Sequence, residues 1–121
     1  MPSSPFALSA YWDRLLVDIL NAAETILRFK GEIDKTSFTQ DTLVQSAILY
    51  QLLIIGEAVR RLSTEFIDTT SDIPWRMISG TRNRLIHRYD DIDLDIVWKV
   101  LETDIPSLIS RIKAMLTSPD E

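Results

Sequence analysis

The sequence predicts an all-α fold, a compact antiparallel bundle of four to five helices that forms dimers. Apolar residues recur at three- and four-residue steps over several long segments, which is the pattern of amphipathic helices. No segment shows the strict alternation of a half-buried strand. The chain of 121 residues is long enough to bury one core. We therefore predict a single domain over residues 1–121, with frayed ends at residues 1–8 and 117–121.

The first predicted helix runs from about Ser9 to Phe29. Its apolar residues form one stripe, as expected of a helix with one buried face. This stripe contains Leu8, Trp12, Leu15, Leu16, Ile19, Ala23, Ile26 and Leu27. Gly31 is predicted to end the helix, because glycine readily takes the left-handed conformation that follows many helices. The polar residues 32–40 are predicted to form a connector.

The second predicted helix runs from about Asp41 to Ser63, and it is apolar on most of its circumference between Ala47 and Ile55. A helix that is apolar all round is buried all round. In so small a domain, this favours a central helix with a second subunit on one side. Gly56 lies in mid-helix, where glycine is unfavourable, and it predicts a close approach of another helix. Glu57 either pairs with an arginine of a later segment or is exposed.

Residues 64–73 are predicted to form a loop, and a third helix is predicted from Pro74 to about Arg88. Proline is favoured at the first position of a helix. The fourth helix is predicted to begin near Asp93, whose carboxylate is suited to cap its N-terminus. Pro106 is predicted to kink or break this helix near residues 104–105, since proline lacks the backbone N–H.

Composition limits the classes of function. The formal net charge is −5, which disfavours a protein that coats nucleic acid. The chain has no cysteine and one histidine, so no metal site and no cofactor are predicted. Residues 1–5 show no signal-peptide pattern, and the most apolar run, residues 47–55, is shorter than a membrane span. We predict a cytoplasmic protein that does not bind membranes.

The charge is unevenly placed, and we call residues 73–89 the basic segment. This segment contains four arginines, no acid and the only histidine, His87. The arginines are Arg76, Arg82, Arg84 and Arg88. Complementation of helix-end charges explains part of this pattern, because four aspartates follow at residues 90–95. Histidine exchanges a proton near neutral pH and arginine grips phosphate, so the segment also indicates chemistry on a phosphate.

Spacing within the basic segment sets its geometry. Asn83 and His87 are four residues apart and share a helix face, whereas Arg82 and His87 are five apart, about 140° round the axis. Arg82 and His87 therefore do not meet on one stripe. Either the helix distorts or ends near Ile86, or the two side chains line a cleft that a second subunit closes.

The basic segment resembles the signature of HepT-like proteins of the HEPN superfamily. That signature is an arginine, four to six residues, a histidine and, in HepT, a tyrosine two residues later. Arg82, His87 and Tyr89 stand in this pattern, with Trp75 and Asn83 around them. The run from Ile55 to Ala58 is similar to a family feature on the preceding helix. The likeness extends over essentially the whole chain.

The resemblance implies a HEPN-like dimer in which both motifs face one cleft, and a metal-independent endoribonuclease that is a toxin. Arg82 and His87 would be catalytic. The supporting, RNA-binding residues would be Arg76, Asn83, Arg84 and Arg88. The substrate would be RNA, with tRNA as one candidate. An MntA-like nucleotidyltransferase antitoxin would neutralise the toxin by adding AMP to Tyr89.

Two other readings of the same residues stay open. The chain could be a nucleotide-binding or adaptor module that partners a nucleotidyltransferase without catalysis, and the acidic net charge slightly favours this. It could also be a purely structural helical dimer whose arginines are helix-end charges. In that case a change at Arg82 would affect stability at most.

Overall fold

The computed structural model describes residues 3–87 and 89–117, with side chains from residue 11 to 87 and from 90 to 116. No strand occurs in these ranges, so the predicted all-α class is confirmed. The helices are α1 (Ser3–Lys30), α2 (Lys35–Gln40), α3 (Thr42–Arg60), α4 (Thr64–Thr69), α5 (Trp75–His87), α6 (Leu94–Lys99) and α7 (Ile105–Thr117). A 3₁₀ turn (Tyr89–Asp91) precedes α6, and a π turn (Val100–Asp104) joins α6 to α7.

Helix α3 lies at the centre of the bundle. It packs against α1 on one side and α5 on another, while α7 packs against α1. The core residues of α3 are fully or almost fully buried, as the apolar pattern predicts. They are Ile48, Leu52, Ile55, Ala58 and Val59. The site residues on α5 are therefore held against the most apolar helix of the chain.

Part of α3 faces away from the described core. Leu43 is 80% exposed and Tyr50 is 61% exposed, so this chain alone does not bury the helix all round. The predicted second subunit would have to cover this side, and dimerisation stays a prediction. By length and composition alone, α3 is also the one described helix that is apolar enough to cross a membrane. Core helices pass the same test, and α3 packs between neighbours.

Two short helices lie where the sequence predicted a connector and a loop. Helix α2 falls within residues 32–40, and Asp34 caps it by accepting a hydrogen bond from the Ser37 N–H at 2.9 Å. Its Phe38 is fully buried, with its ring 5.3 Å from that of Trp98. Helix α4 falls within residues 64–73, capped by Ser63. Each has only six residues, too short a stretch for helical periodicity to be recognised.

Several predicted helix ends agree with the structure. Gly31 follows α1 with a φ of +51°, as a helix-ending glycine should. Asp93 caps α6, because its Oδ1 accepts from the backbone N–H groups of Asp95 and Ile96. Helix α1 already begins at Ser3, before the predicted Ser9. The fraying predicted for the two ends falls partly outside the described residues and stays a prediction.

The predicted break at Pro106 takes the form of the π turn. The Ile105 N–H donates to the carbonyl of Val100, five residues earlier, where an α-helix would use the residue four earlier. This wider turn precedes the proline, whose ring would clash with a carbonyl of a regular helix. The apolar face continues across the turn, since Trp98, Leu101, Ile105 and Leu108 are all buried.

Candidate functional site

Helix α5 carries the described part of the basic segment, and buried residues on its inner face fix its place. Trp75, Ile78 and Leu85 belong to the core. The indole N–H of Trp75 donates to the Thr70 hydroxyl at 2.9 Å in a buried contact. A buried polar group is costly unless it is hydrogen-bonded, so this bond specifies how α5 begins. This anchorage fixes the orientation of α5 and so the directions in which its polar side chains point.

Arg82 points toward α3, and only 14% of its side chain is exposed. Its Nη2 donates to Glu57 Oε2 at 2.5 Å, and its Nη1 donates to Asn83 Oδ1 at 3.1 Å. Its Nε–H is buried and has no hydrogen-bond partner among the described residues. Of the two alternatives for Glu57, pairing with an arginine of the basic segment is therefore the one observed.

Gly56 makes room for this arginine. A Cβ added at Gly56 would lie 2.2 Å from Arg82 Cβ and 2.4 Å from Arg82 Cγ. Real Cβ atoms essentially never come this close to another atom. The predicted close helix approach at Gly56 is confirmed, and the helix that approaches is α5.

Glu57 links two arginines. While Oε2 accepts from Arg82, Oε1 accepts from Nη1 of Arg60 at 3.1 Å. The hydrogen bond from Arg82 is the main cause that holds the pKa of Glu57 below its usual range, and Arg60 contributes less. Arg60 was not singled out in the sequence, although it lies three residues after Glu57 on one helix, a spacing that brings side chains together.

His87 lies on the solvent side of α5, at its last position, and it is exposed. The helix is continuous from Arg82 to His87, so no distortion brings the two side chains together. Arg82 faces α3 while His87 faces outward, in keeping with their 140° offset. Asn83 is exposed and shares the face of His87, yet its carbonyl oxygen bonds Arg82. Among the described contacts, the Asn83 side chain therefore bonds one of the two predicted catalytic residues, Arg82.

The other predicted site residues surround this arrangement. Arg76 and Arg84 are exposed on α5. Arg88 lies outside the described residues. Tyr89 opens the 3₁₀ turn, and its side chain also lies outside the description. The roles predicted for these four residues therefore remain predictions.

Two of the four aspartates that follow the basic segment have structural roles. Asp93 caps α6, and Asp95 forms an ion pair with Lys35 at 3.0 Å. Arg84 and His87 lie in the last turn of α5, where positive charge complements the helix dipole. Helix-end complementation thus accounts for part of the charge pattern. Within the described part of the chain, no cluster of three or more histidine or acidic side chains is arranged to hold a metal ion.

The sequence of this chain is similar to proteins of one known family. The model of the family described as Ribonuclease HepT-like matches residues 19–115. A Methanocaldococcus jannaschii protein whose name proposes an RNase is 34% identical over 98 residues, which cover 81% of this chain and 90% of that protein. The probable ribonuclease HepT of Thermococcus cleftensis is 37% identical over 100 residues, covering 83% and 91%. No solved structure matches the chain.

Proposed function

Because the chain belongs to the Ribonuclease HepT-like family, we propose that it is the metal-independent endoribonuclease toxin of a toxin–antitoxin pair. It is an enzyme of the ribonuclease class, as the family and the names of its relatives support. The observation that carries the proposed site is the placement of Arg82, a mostly buried arginine held by Glu57, five residues before the only histidine of the chain.

RNA supplies its own nucleophile, which explains how so few side chains suffice. The 2′-hydroxyl loses its proton and its oxygen attacks the adjacent phosphorus. The bond from phosphorus to the 5′-oxygen then breaks, and that oxygen takes up a proton. Proton transfer by a positioned side chain typically accelerates such a step by about 10²–10⁴-fold. His87 is the proposed proton carrier, because it is exposed and imidazole exchanges protons near neutral pH.

Arg82 is proposed to stabilise the charge that develops on the phosphorane. A guanidinium offers five N–H donors, of which Glu57 and Asn83 engage one each. The Nε–H is buried, and the remaining hydrogens on the two terminal nitrogens can bind phosphate oxygens by charge-assisted hydrogen bonds. The exposed Arg76 and Arg84, together with Arg88, are proposed to bind the flanking RNA backbone.

A second copy of the chain is proposed to complete the site. One histidine does not readily serve as acid and base in a single step, and Arg82 and His87 face different directions within one protomer. A two-fold dimer would supply two histidines to one cleft. The exposed Tyr50 on α3 supports this, since it borders a cleft of about 210 Å³ lined by Leu49, Leu53 and Leu85. This surface lies between α3 and α5, close to the site.

The proposed control is chemical modification by the partner antitoxin. An MntA-like nucleotidyltransferase would transfer AMP from ATP to the hydroxyl of Tyr89, two residues after His87, with release of pyrophosphate. The added phosphate would bring negative charge beside the arginines that bind RNA, and would compete with the substrate. If a Tyr89→Phe variant remained fully controlled by the antitoxin in cells, this part of the proposal would be wrong.

Growth after induced expression tests the function. Wild type should arrest growth, His87→Ala should not, and co-expression of the proposed MntA-like antitoxin should lift the arrest. Met77→Ala is a matched control, because Met77 is exposed on the same helix and bears no ionisable group. Equal toxicity of His87→Ala and wild type would exclude the catalytic role.

A wild type that arrests nothing, with expression confirmed, would favour the adaptor reading. Calorimetry with ATP and with the nucleotidyltransferase would then be decisive for that reading. Binding to neither would count against it.

A further inference from the structure

We infer that Glu57 is a positioning residue of the ribonuclease site, which orients the Arg82 guanidinium toward the RNA phosphate. This inference rests on the proposed function and deepens it. It adds a residue of α3 to a site that the sequence placed entirely on the segment containing α5.

Three contacts fix the Arg82 side chain. Its Cβ and Cγ lie against Gly56, where any larger residue would displace them. Glu57 then holds Nη2, and Asn83 holds Nη1. A long side chain has many rotamers, and ordering it in advance avoids an entropic loss when the substrate binds. Glu57 is the one carboxylate that bonds Arg82 among the described residues, so it supplies the charged part of this constraint.

The form of the contact leaves Arg82 able to bind phosphate. Glu57 uses only one oxygen on Arg82 and directs the other to Arg60. A two-pronged contact would engage a further hydrogen of the guanidinium. With single contacts, one hydrogen on each terminal nitrogen remains for a phosphate oxygen, whereas the Nε–H is buried and is not available to a ligand. Glu57 therefore holds the guanidinium and leaves a hydrogen on both terminal nitrogens for phosphate.

The local charge supports the same role. Arg60 and Arg82 share one carboxylate, so the three side chains carry one net positive charge. The hydrogen bond from Arg82 lowers the pKa of Glu57 below its ordinary value, in keeping with a carboxylate held by two arginines. The same contacts also allow the opposite role. Glu57 would then compete with phosphate for Arg82 and act as a brake on cleavage. The two roles predict changes of opposite sign.

The test is a double-mutant cycle on the purified full-length protein, with total tRNA and total cellular RNA as substrates. Glu57→Gln should lower kcat at least tenfold and change KM by less than about threefold. Arg82→Ala should lower kcat at least as much. In the Arg82→Ala background, Glu57→Gln should cause no further loss, because two residues that act as one unit are not additive.

Glu65→Gln is the matched control, since it makes the same chemical change at an exposed position of α4. It should change kcat by less than threefold. Faster cleavage by Glu57→Gln would overturn the inference in favour of a brake. If Glu57→Gln lowers kcat by the same factor in the Arg82→Ala background as in wild type, the effect is a general structural one and the inference is wrong. A fall in kcat that parallels a lowered unfolding midpoint of Glu57→Gln would overturn it in the same way.

A readout independent of cleavage separates this inference from the proposed function. The ¹⁵N–¹H guanidinium signals of Arg82 should be individually resolved in wild type, because its rotation is restricted, and averaged in Glu57→Gln. Signals that are identical in both proteins would overturn the inference. If wild type cuts neither RNA preparation, the proposed function fails, and these signals still decide whether Glu57 positions Arg82.

Discussion

Gly56 of α3 lies directly against the side chain of Arg82 on α5. A Cβ at residue 56 would lie 2.2 Å from the Cβ of Arg82, so the two helices can pack at their observed separation only while residue 56 is glycine. The next residue, Glu57, is thereby brought within 2.5 Å of the Arg82 guanidinium. Packing and site geometry therefore depend on the same pair of helix turns.

Gly56→Ala should destabilise the protein by about 1–3 kcal/mol, because overpacking of a close contact forces side chains and backbone to shift. The gain in helix propensity, about 1 kcal/mol for an exposed site, is too small to reverse the sign. Urea unfolding followed by circular dichroism measures the change. Cleavage should fall as well, since Glu57 and Arg82 would move apart.

Gly80→Ala is the matched control for this substitution. Gly80 lies inside α5, and a Cβ there would meet nothing within 4 Å. The same chemical change should therefore stabilise the protein by up to about 1 kcal/mol. Equal destabilisation by the two variants would show that close packing is not the reason for Gly56.

His87→Ala should slow cleavage strongly without loss of stability. The side chain is exposed, and such substitutions usually change the free energy of unfolding by less than about 0.5 kcal/mol. Loss of a proton carrier should lower the cleavage rate by about 10²-fold or more. The rate on total RNA and the unfolding midpoint should be measured on the same preparation. A parallel fall in both would point to misfolding.

We expect the ion pair of Glu57 to stabilise the protein at neutral pH and to lose this contribution in acid. Its pKa is lowered from the ordinary 4.5, chiefly by the hydrogen bond from Arg82, so the unfolded chain takes up the proton first. The stabilising contribution is present above the ordinary pKa and disappears as the pH falls through the lowered value. Unfolding free energies of wild type and Glu57→Gln should therefore converge in acid. A constant difference down to pH 2 would contradict the assignment.

For Asp104 we expect the opposite dependence of the free energy of unfolding on pH. Burial raises its pKa above the ordinary 3.8, and Lys99 opposes this only in part. An acid whose pKa is raised by folding stabilises the fold below its unfolded pKa, and that contribution is lost as the pH rises through the folded value. Asp104→Asn should thus raise the unfolding midpoint at pH 7, and the gain should vanish below about pH 3.8. Denaturant titrations at both pH values test this.

The sequence predicted the long elements because each buries a periodic apolar face. The stripe of α1 and the apolar run of α3 indicated helices by themselves, and Gly31 and Asp93 marked ends through local backbone chemistry. Helices α2 and α4 were missed because six residues hold too little periodicity. What holds α2 is the burial of Phe38 against a distant residue, Trp98.

The site was predictable only in part, for a similar reason. The motif residues stand together in sequence, so the basic segment could be recognised along the chain. The direction of Arg82 depends on which helix packs against α5, and spacing within α5 does not contain that information. Gly56 indicated that some helix approaches, without identifying it. Arg60 is identified by the structure alone, because Glu57 bridges it to Arg82.

The π turn at residues 100–104 also determines where this part of the chain can change in length. A π turn holds one residue more than an α-helical turn, while the helices on either side keep their faces. Loss of one residue there would leave the buried faces of α6 and α7 in place, but it would bring the ring of Pro106 against a carbonyl of the preceding turn. Loss of one residue inside the regular α7 would instead rotate everything beyond it by about 100°. The fully buried Ile112 would then turn toward water, so a deletion inside α7 should be the more damaging of the two.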